Sequence, residues 1–368
     1  MKRVSESAGQ RVSKLRVLMA GGGTGGHVIP ALAIARELRD AHGAEVHFLG
    51  TERGLETRLV PEAGFAISYV QVGMLKNVGL LTRAKTLLNL PRGVFSAMRL
   101  LREFRPDVVV GVGGYASGPG MLAAIFRRIP TLVFEPNAEP GMVNRYIGKY
   151  VSAAAISFET TKRFFRNAKV TGRPVRAEFF AIGPKVDAPP RLLILGGSQG
   201  ARGLNEIMPK IATDLLEKVP GLTIGHQAGE RHAESTREAY LREGVDPRRY
   251  EVYAFLEDTP AAMAKADLIL CRSGGTVEEL CAAGRPSILV PFPQSADDHQ
   301  SRNAEAMQAG GAAIWLPERE MTPELLTTML HDLLLDVARL EQMSAAARAM
   351  AHPHALEEIG AMVVGLAR

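Results

Sequence analysis

One arrangement of residues occurs twice in this chain, 175 positions apart. In the first copy the apolar run Leu15–Ala20 leads into six residues of glycine and threonine at 21–26, and a helical pattern follows from 28 to 38. In the second copy the run Arg191–Leu195 leads into Gly-Gly-Ser-Gln-Gly at 196–200, and a helical pattern follows again. A short run that is apolar at every position is typical of a strand buried on both faces, as in a parallel sheet. The repeat therefore predicts two domains that each open with a strand, a glycine-rich turn and a helix.

Further apolar runs of strand length alternate with helical patterns in both halves. Such alternation predicts βαβ units and parallel sheets, so we predict an α/β protein of two Rossmann-like, doubly wound parallel-sheet domains that face each other across a cleft. The later predicted strands are 46–49, 108–112 and 131–134, then 222–226, 251–255, 268–270 and 287–291. The predicted divisions are a loose arm at 1–14, a first domain at 15–177, a linker at 178–190, a second domain at 191–354 and a C-terminal helix at 355–368 that could pack back on the first domain.

The composition is that of a globular protein without metal clusters or disulfides. Hydrophobic residues make up 46% and charged residues 23% of the 368 positions, which is enough apolar material for two large cores. No apolar run reaches the roughly 18 residues needed to cross a bilayer, and the polar first fourteen residues lack the apolar segment of a secretory signal. Cys271 and Cys281 are the only cysteines. We therefore expect a reducing compartment and no metal or disulfide framework.

Positive charge is concentrated in the first half of the chain. Residues 1–177 contain 26 lysines and arginines against 12 acidic residues, whereas residues 178–368 contain 18 against 27. Residues 74–102 contain six basic residues and no acidic one, with apolar residues at helical spacing that are interrupted at Pro91. An apolar stripe flanked only by cations favours docking on an anionic membrane surface, although a core-facing helix with a solvated basic side would show the same pattern. Because no aromatic residues for base stacking are interleaved, we expect no nucleic-acid partner.

The first glycine-rich turn has the chemistry of a phosphate site. Ligands of doubly wound sheets bind at the carboxyl ends of the strands, and glycines there let backbone N–H groups approach an anion closely. Gly21, Gly23 and Gly26 also match the dinucleotide pattern G-x-G-x-x-G, but the acidic residue expected about 20 positions later is missing, since Glu52 stands 26 positions beyond the last glycine. His27 follows the turn and could accept a proton from a hydroxyl nucleophile. The alternative is a helix-start histidine bonded to a carbonyl group.

Three other segments extend this interpretation. The glycine-rich residues 111–120 end another predicted strand, and they form either a second wall of the same cleft or a place of close helix packing. Ser198 lies in the second glycine-rich turn, where capping a helix and binding phosphate are compatible. Glu278 and Glu279 either complement a helix dipole, or one of them binds vicinal ribose hydroxyls. The sequence has no D-x-D triplet and no P-loop, so we expect a diphosphate held by backbone dipoles, without a metal or another cofactor.

Together these segments resemble the MurG family of peptidoglycan glycosyltransferases, which is part of glycosyltransferase family 28 and has the two-domain GT-B fold. The motifs that carry the resemblance are GGGTGGHVIPALA (21–33), GVGGYASGPG (111–120), GRPVR (172–176), GGSQGARGLNEIMP (196–209), HQAGE (226–230), CRSGGTVEELCAAGRP (271–286) and DHQSRNA (298–304). The resemblance implies inverting transfer of N-acetylglucosamine (GlcNAc) from UDP-GlcNAc to the C4 hydroxyl of undecaprenyl-diphosphate-linked N-acetylmuramoyl-pentapeptide, without a bound metal. It also implies a peripheral enzyme at the cytoplasmic face of the bacterial inner membrane, with other cell-wall synthesis proteins as partners and a role in cell shape and division.

The resemblance also assigns roles to individual residues. Around the acceptor diphosphate and the donor sugar it places Thr24, Gly25 and Gly26, with His27 as the base. The donor residues that it implies are Asn137 for the sugar, Arg176 and Ser198 for the nucleotide and its diphosphate, Leu256 for uracil, Glu279 for the ribose hydroxyls with Gly275 and Thr276 beside it, and Gln300 or His299 for the sugar hydroxyls.

Some positions depart from the family pattern, and other functions stay open. Phe134 and Pro136 stand where the family commonly carries polar residues beside Asn137, and some members carry one residue more after Gly274. The alternative enzymes are a UDP-GlcNAc 2-epimerase and a related transferase with a diacylglycerol or another lipid acceptor. A nucleotide-sugar sensor without catalytic activity is the third alternative.

Overall fold

The computed structural model describes residues 14–70, 80–114, 116–185, 189–197 and 199–368. By its contacts the chain divides into two units, and each unit is made of more than one segment. The first unit holds the described residues up to Phe134 together with Tyr146–Ala154 and Leu356–Arg368, and the second holds Glu135–Arg145 and Ala155–Ala355.

The first sheet has seven strands, and its central pairs are parallel. The strands are β1 (Arg16–Ala20), β2 (Glu45–Gly50), β3 (Ala66–Tyr69), β4 (Val108–Gly111), β5 (Thr131–Glu135), β6 (Ala153–Ile156) and β7 (Ala168–Val170). Their order is β3-β2-β1-β4-β5-β6-β7, with parallel pairing from β3 to β5. The helices up to residue 180 are α1 (Gly25–Asp40), α2 (Glu56–Glu62), α3 (Leu80–Phe104), α4 (Ser117–Phe126), α5 (Met142–Ile147) and α6 (Ala177–Phe180), with a 3-10 helix at Glu159–Phe164.

The second sheet has six strands, and all of its neighbouring pairs are parallel. The strands are β8 (Arg191–Leu195), β9 (Thr223–Gln227), β10 (Tyr250–Tyr253), β11 (Leu268–Cys271), β12 (Ser287–Leu289) and β13 (Ala313–Trp315). Their order is β10-β9-β8-β11-β12-β13. The helices are α7 (Arg202–Lys218), α8 (Ala233–Arg242), α9 (Thr259–Ala264), α10 (Thr276–Ala283), α11 (His299–Ala309), α12 (Pro323–Leu335), α13 (Val337–Ala349) and α14 (Ala355–Leu366), with 3-10 helices at Ala296–Asp298 and Glu318–Glu320.

Both sheets place glycine-rich turns where the winding of the strands reverses. In the first sheet the chain winds outward from β1 to β3 and then continues on the other side of β1 with β4. In the second sheet β8 and β11 stand in the same relation. The carboxyl ends of the two strands at such a reversal border the ligand crevice of a doubly wound sheet. The turns at 21–24 and 112–114 lie at this position in the first sheet, and residues 196–197, 199–200 and 272–275 lie there in the second.

These two sheets confirm the predicted fold class. Every predicted strand is present, and its bounds differ from the prediction by at most two residues. The prediction missed β3, β6, β7 and β13, which have three or four residues each. Three of them are edge strands, and all four are shorter than the central strands β1 and β2.

One helix continues through a proline, and another lies in the predicted linker. α3 runs through the exposed Pro91 as one helix of 25 residues. A single proline removes one backbone hydrogen bond, and the residues on both sides keep their helical pattern. The predicted linker contains the short helix α6, because Phe179 is fully buried and anchors it. The loose arm at 1–13 and residues 71–79 lie outside the described residues, while α14 belongs to the first unit.

One histidine of the matching motifs belongs to the core of the second unit. His226 is fully buried, with Nδ1 3.0 Å from the Tyr240 hydroxyl and Nε2 3.0 Å from Asn205 Oδ1. The Asn205 amide in turn donates to the carbonyl oxygen of Ala228 at 2.9 Å. Burial lowers the pKa of His226 to about 3, so the ring is neutral and joins β9 to α7 and α8 as a structural group.

Candidate active site

The first glycine-rich turn is held by three different segments of its own unit. The backbone N–H groups of residues 21–23 all donate to acceptors within the unit, so none of them is available to a ligand. The acceptors are Leu49 O at 3.0 Å for Gly21, Gly113 O at 3.3 Å for Gly22, and Glu56 Oε2 at 2.7 Å for Gly23.

The next three residues of the turn present donors instead. Among the described residues, the N–H groups of Thr24, Gly25 and Gly26 have no acceptor, and Thr24 makes no side-chain cap. They form the N-terminus of α1, which has 16 residues. Orphan N–H groups at a helix N-terminus carry partial positive charge and bind anions. These are the residues that the resemblance assigns to the acceptor diphosphate.

His27 lies in the first turn of α1 and is packed against the turn that follows β4. Its N–H donates to Thr24 O at 3.0 Å, and its Nδ1 lies 3.4 Å from Thr24 Oγ1. A Cβ atom on Gly113 would lie 2.9 Å from His27 Cδ2 and 3.0 Å from Nε2. Gly113 also has a φ of +87°, so both its backbone and its contact with the imidazole require glycine.

The glycine-rich segment 111–120 makes two kinds of close contact. A Cβ atom on Gly114 would lie 2.0 Å from Gly22 O, so this end of the segment forms a wall against the first turn. The other end belongs to α4, where a Cβ atom on Gly120 would lie 2.8 Å from Ala20 Cβ. Close packing of helix on strand therefore explains the later glycines.

In the second unit Asn303 joins several predicted donor residues to one turn. Its side chain is 1% exposed. Its Oδ1 accepts from Ala138 N at 2.9 Å, while its Nδ2 lies 3.1 Å from Ser273 O and 3.3 Å from Asn137 Oδ1. The Ser273 hydroxyl donates to Gln300 O at 2.8 Å. The structure thus brings Asn137 and Gln300 to the turn between β11 and α10.

A buried glutamate fixes the loop that carries Asn137. Glu135 is 2% exposed and accepts from Asn137 N and Nδ2 at 3.1 and 3.0 Å, from Gly141 N at 3.1 Å and from Asn144 Nδ2 at 2.9 Å. Burial raises the pKa of Glu135 against the effect of these hydrogen bonds. Phe134, which departs from the family pattern, is buried. Its side chain therefore belongs to the core.

Glu279 and two arginines meet at the N-terminus of α10. Burial raises the pKa of Glu279, and the positive charges of Arg173 and Arg176 oppose this rise. The guanidinium group of Arg173 packs on Gly275, since a Cβ atom there would lie 2.3 Å from Nη1. Thr276 begins α10. Gly275 and Thr276 therefore lie at the same helix end as the predicted residues Arg176 and Glu279.

The neighbouring Glu278 is a buried acid without a well-formed hydrogen bond. Both of its carboxylate oxygens and the hydroxyl of Ser157 are buried without a partner among the described residues. Burial raises the pKa of Glu278 to about 7, a rise that Arg173 opposes and that the charge of Glu279 enhances. A carboxyl group with a pKa of about 7 is expected to change protonation near neutral pH, and this one stands in the first turn of α10.

The remaining predicted residues differ in what their side chains contact. Leu256 follows β10 and buries its side chain in the core. The side-chain oxygen of Gln300 accepts from the N–H of Phe292 at 2.9 Å. His299 Nδ1 contacts the carbonyl oxygen of Ala296, so this histidine is bonded within its own turn. Ser198 lies outside the described residues.

Sequence reasoning missed four residues that organise these sites: Glu56, Glu135, Arg173 and Asn303. Glu135 and Arg173 stand within three positions of assigned residues, and Asn303 lies in a matching motif. Each of these three could have been found by asking which side chain fixes its assigned neighbour. Glu56 had only a weak signal, an acidic residue close to Gly50 and Gly54.

Within the part of the chain that the structure describes, no group of three or more His, Cys, Asp or Glu residues could hold a metal ion. None of the helices described there combines the length and the apolar character that crossing a membrane requires.

Comparison with known proteins assigns the family. The model of the glycosyltransferase family 28 N-terminal domain matches residues 17–156, and that of the C-terminal domain matches residues 191–359. The UDP-N-acetylglucosamine–N-acetylmuramyl-(pentapeptide) pyrophosphoryl-undecaprenol N-acetylglucosamine transferase of Anaeromyxobacter sp. (strain Fw109-5) is 44% identical over 96% of this chain and 94% of its own. The chain belongs to glycosyltransferase family 28. The resemblance seen in the motifs is thereby confirmed.

Solved structures agree with this family-28 assignment. The crystal structure of MurG from Acinetobacter baumannii superposes with a TM-score of 0.83 at 33% identity, covering 95% of this chain and 99% of that one. A protein assigned as a UDP-N-acetylglucosamine 2-epimerase from Listeria monocytogenes has a TM-score of 0.63 at 14% identity, covering 95% of both chains. At that identity the epimerase shares the fold alone.

Glu278 gives this family-28 transferase a predicted pH dependence of stability. Its pKa is raised from an ordinary value of 4.5 to about 7. Between these values the folded protein binds more protons than the unfolded chain, so the stability that this group contributes is present below about pH 4.5 and is lost as the pH rises to 7. The loss is on the order of 3 kcal/mol. Urea unfolding at pH 5 and pH 8 measures it.

In Glu278→Gln this loss should disappear. Between pH 5 and pH 8 the free energy of unfolding of the wild type should fall by about 3 kcal/mol more than that of the variant. Glu324→Gln is the matched control, because Glu324 is also a first-turn glutamate but is exposed. A difference between Glu278→Gln and wild type that is the same at both pH values contradicts the assignment.

Proposed function

We propose that this glycosyltransferase transfers GlcNAc from UDP-GlcNAc to the C4 hydroxyl of undecaprenyl-diphosphate-linked N-acetylmuramoyl-pentapeptide, a step of peptidoglycan synthesis. The observation that carries the proposal is the 44% identity, over nearly the whole chain, to a transferase whose name states this reaction. The geometry of both units supports it, because each presents groups suited to one of the two substrates.

The first unit supplies groups for the acceptor. The N–H groups of Thr24, Gly25 and Gly26, which have no acceptor among the described residues, suit the acceptor diphosphate, since anions bind where a helix begins. His27 stands beside them as the base. His27 Nδ1 lies 3.4 Å from Thr24 Oγ1, and in the tautomer protonated on Nδ1 it is Nε2 that would accept the proton of the C4 hydroxyl. The packing on Gly113 limits the positions that this ring can take.

The second unit supplies groups for the donor. Glu279 accepts hydrogen bonds from the two ribose hydroxyls, and the backbone after β10 at Leu256 contacts uracil. Arg173 and Arg176 bring two positive charges to the N-terminus of α10, where a nucleotide diphosphate would be stabilised. Asn137 is held by Glu135 and Asn303 and hydrogen-bonds the sugar.

The reaction is a single displacement with inversion. The acceptor oxygen attacks the anomeric carbon and loses its proton to His27, while the bond from that carbon to the diphosphate breaks and UDP leaves with the electron pair. Negative charge gathers on the leaving diphosphate in the transition state. Fixed donors that face this charge are often worth a few kcal/mol each.

The reaction is tested by measuring UDP release with UDP-GlcNAc and a short-chain lipid-linked acceptor. UDP should appear only with the acceptor, together with a product that has gained one GlcNAc. Glu279→Gln should raise the donor KM about 10- to 100-fold, because it loses a charge-assisted contact. His27→Ala should lower kcat by about 10²- to 10⁴-fold with the donor KM nearly unchanged.

His331→Ala serves as the control, because His331 pairs with Asp332 on the surface of the second unit. It should leave both kinetic constants unchanged. Formation of UDP-N-acetylmannosamine without an acceptor would establish the epimerase alternative. Donor binding without UDP release would establish a sensor, and turnover with only a diacylglycerol acceptor would establish the related transferase.

We further propose that the enzyme docks on the cytoplasmic face of the bacterial inner membrane through α3 and α4, which pack against each other. Phe95 on α3 is 70% exposed and Phe126 at the end of α4 is 69% exposed. Arg127 and Arg128 follow directly and are exposed. Exposed aromatic rings beside cations suit an anionic lipid interface.

The inner side of α3 is part of the core, because Ala97 and Leu101 are buried. Lys76 and the side chains of Arg83 and Lys85 lie outside the described part.

Docking predicts a loss of vesicle binding when these exposed groups are changed. In co-sedimentation with anionic vesicles, Phe126→Ser with Arg127→Gln and Arg128→Gln should bind at least about 10-fold more weakly, because each of the two cations contributes roughly 1 kcal/mol near such a surface. Its residual binding should depend less on salt. The control is Arg248→Gln with Arg319→Gln, two exposed arginines of the second unit. Equal binding by both variants would exclude docking through this surface.

A further inference from the structure

A buried carboxylate lies behind the first glycine-rich turn. Glu56 is the first residue of α2, and its side chain is 1% exposed. One oxygen accepts from Gly23 N at 2.7 Å, and the other accepts from both Thr51 N and Thr51 Oγ1 at 2.9 Å. All three partners are donors, which is the pattern that an ionised carboxylate requires.

The space around this carboxylate is formed by glycines. A Cβ atom on Gly22 would lie 2.3 Å from Glu56 Cδ, one on Gly50 would lie 2.7 Å from Cγ, and one on Gly54 would lie 1.9 Å from Oε2. The absence of three side chains therefore makes room for one carboxylate. A group held on all sides in this way has a single position.

The Glu56 carboxylate and one backbone hydrogen bond jointly hold the turn in place. Gly23 donates to Glu56 through its N–H and accepts from Leu55 N at 3.0 Å through its carbonyl oxygen. Both polar groups of this glycine are thus bound to the start of α2. Thr24 and the beginning of α1 follow Gly23 directly. The position of Gly23 therefore sets the direction of the N–H groups of residues 24–26 and of the His27 imidazole.

We infer that Glu56 is a positioning residue for the acceptor site: by fixing Gly23 it aims the N–H groups of residues 24–26 and the imidazole of His27. This inference rests on the proposed function, because it assumes that these groups serve the acceptor. It adds to that function a group that touches neither substrate. Catalytic groups misplaced by about 1 Å cost turnover on the order of 10²-fold.

The negative charge of Glu56 disfavours an anion at the same site. The sign of the change in Glu56→Gln therefore separates an effect of charge from an effect of position. A carboxylate behind a phosphate-binding turn repels the phosphate. If charge were its main effect, Glu56→Gln would bind the acceptor more tightly. If position is its main effect, Glu56→Gln loses activity, because the amide N–H₂ of glutamine faces a donor from Gly23 or Thr51.

The experiment compares Glu56→Gln with Glu62→Gln, the same substitution at the exposed end of the same helix. We expect acceptor kcat/KM to fall 10- to 100-fold in Glu56→Gln, while its affinity for UDP, measured by calorimetry, stays within 2-fold of wild type. Thr51→Val, which removes one of the three donors, should show a smaller fall. An unchanged or increased acceptor kcat/KM in Glu56→Gln overturns the inference.

Amide hydrogen exchange at residues 21–27 gives a readout that does not depend on turnover. Exchange in this segment should be at least 10-fold faster in Glu56→Gln than in Glu62→Gln, with thermal unfolding of the two variants similar. If Glu56→Gln does not fold, Gly22→Ala keeps the carboxylate but displaces it, and it should give the same fall in acceptor kcat/KM.

The two hypotheses fail in different ways. A wild-type protein that binds UDP but transfers nothing to any lipid-linked acceptor contradicts the proposed function, whatever the exchange shows. Transfer by wild type together with unchanged exchange in Glu56→Gln contradicts the positioning role alone.

Discussion

The first unit depends on two turns whose backbones touch without side chains between them. Gly22 donates to Gly113 O at 3.3 Å, and a Cβ atom on Gly114 would lie only 2.0 Å from Gly22 O. This approach is possible because β1 and β4 are neighbours at the reversal of the sheet. It orders the turn before any ligand binds, and it gives the imidazole of His27 a flat surface to rest on. Donors that are fixed in this way need no reorganisation during the reaction.

The second unit reaches a comparable order by another route. There side-chain amides and carboxylates connect the loops, and Asn303 and Glu135 are the two centres. Asn303 joins the loop of Asn137 to the turn at Ser273, and Glu135 takes four donors from the same loop. Buried polar networks of this kind are rigid when every member is satisfied. Among the described residues, the side-chain oxygen of Asn144 and both carboxylate oxygens of Glu278 are buried without such a partner.

More of the fold than of the site could be predicted from the sequence. Continuous apolar runs such as residues 192–195 identify central strands because both faces are buried there. The three-residue edge strand Ala313–Trp315 was missed, although residues 312–316 are also apolar at every position. The glycine-rich turns were found because strand, turn and helix follow one another along the chain. Glu56 and Asn303 could not be found in this way, because their partners are 33 and 166 positions distant in sequence, at Gly23 and Asn137. Motif and periodicity report local order, and these contacts exist only after the chain has folded.

The central claim is that the first unit binds the acceptor and the second unit binds the donor. Hydrogen–deuterium exchange with each substrate alone tests it most directly. UDP-GlcNAc should slow exchange in peptides that cover residues 272–280 and 299–304 and leave residues 21–27 unchanged. A short-chain lipid-linked acceptor should slow exchange at 21–27 and leave the other two segments unchanged. Protection of residues 21–27 by UDP-GlcNAc, without protection at 272–280, would contradict the account.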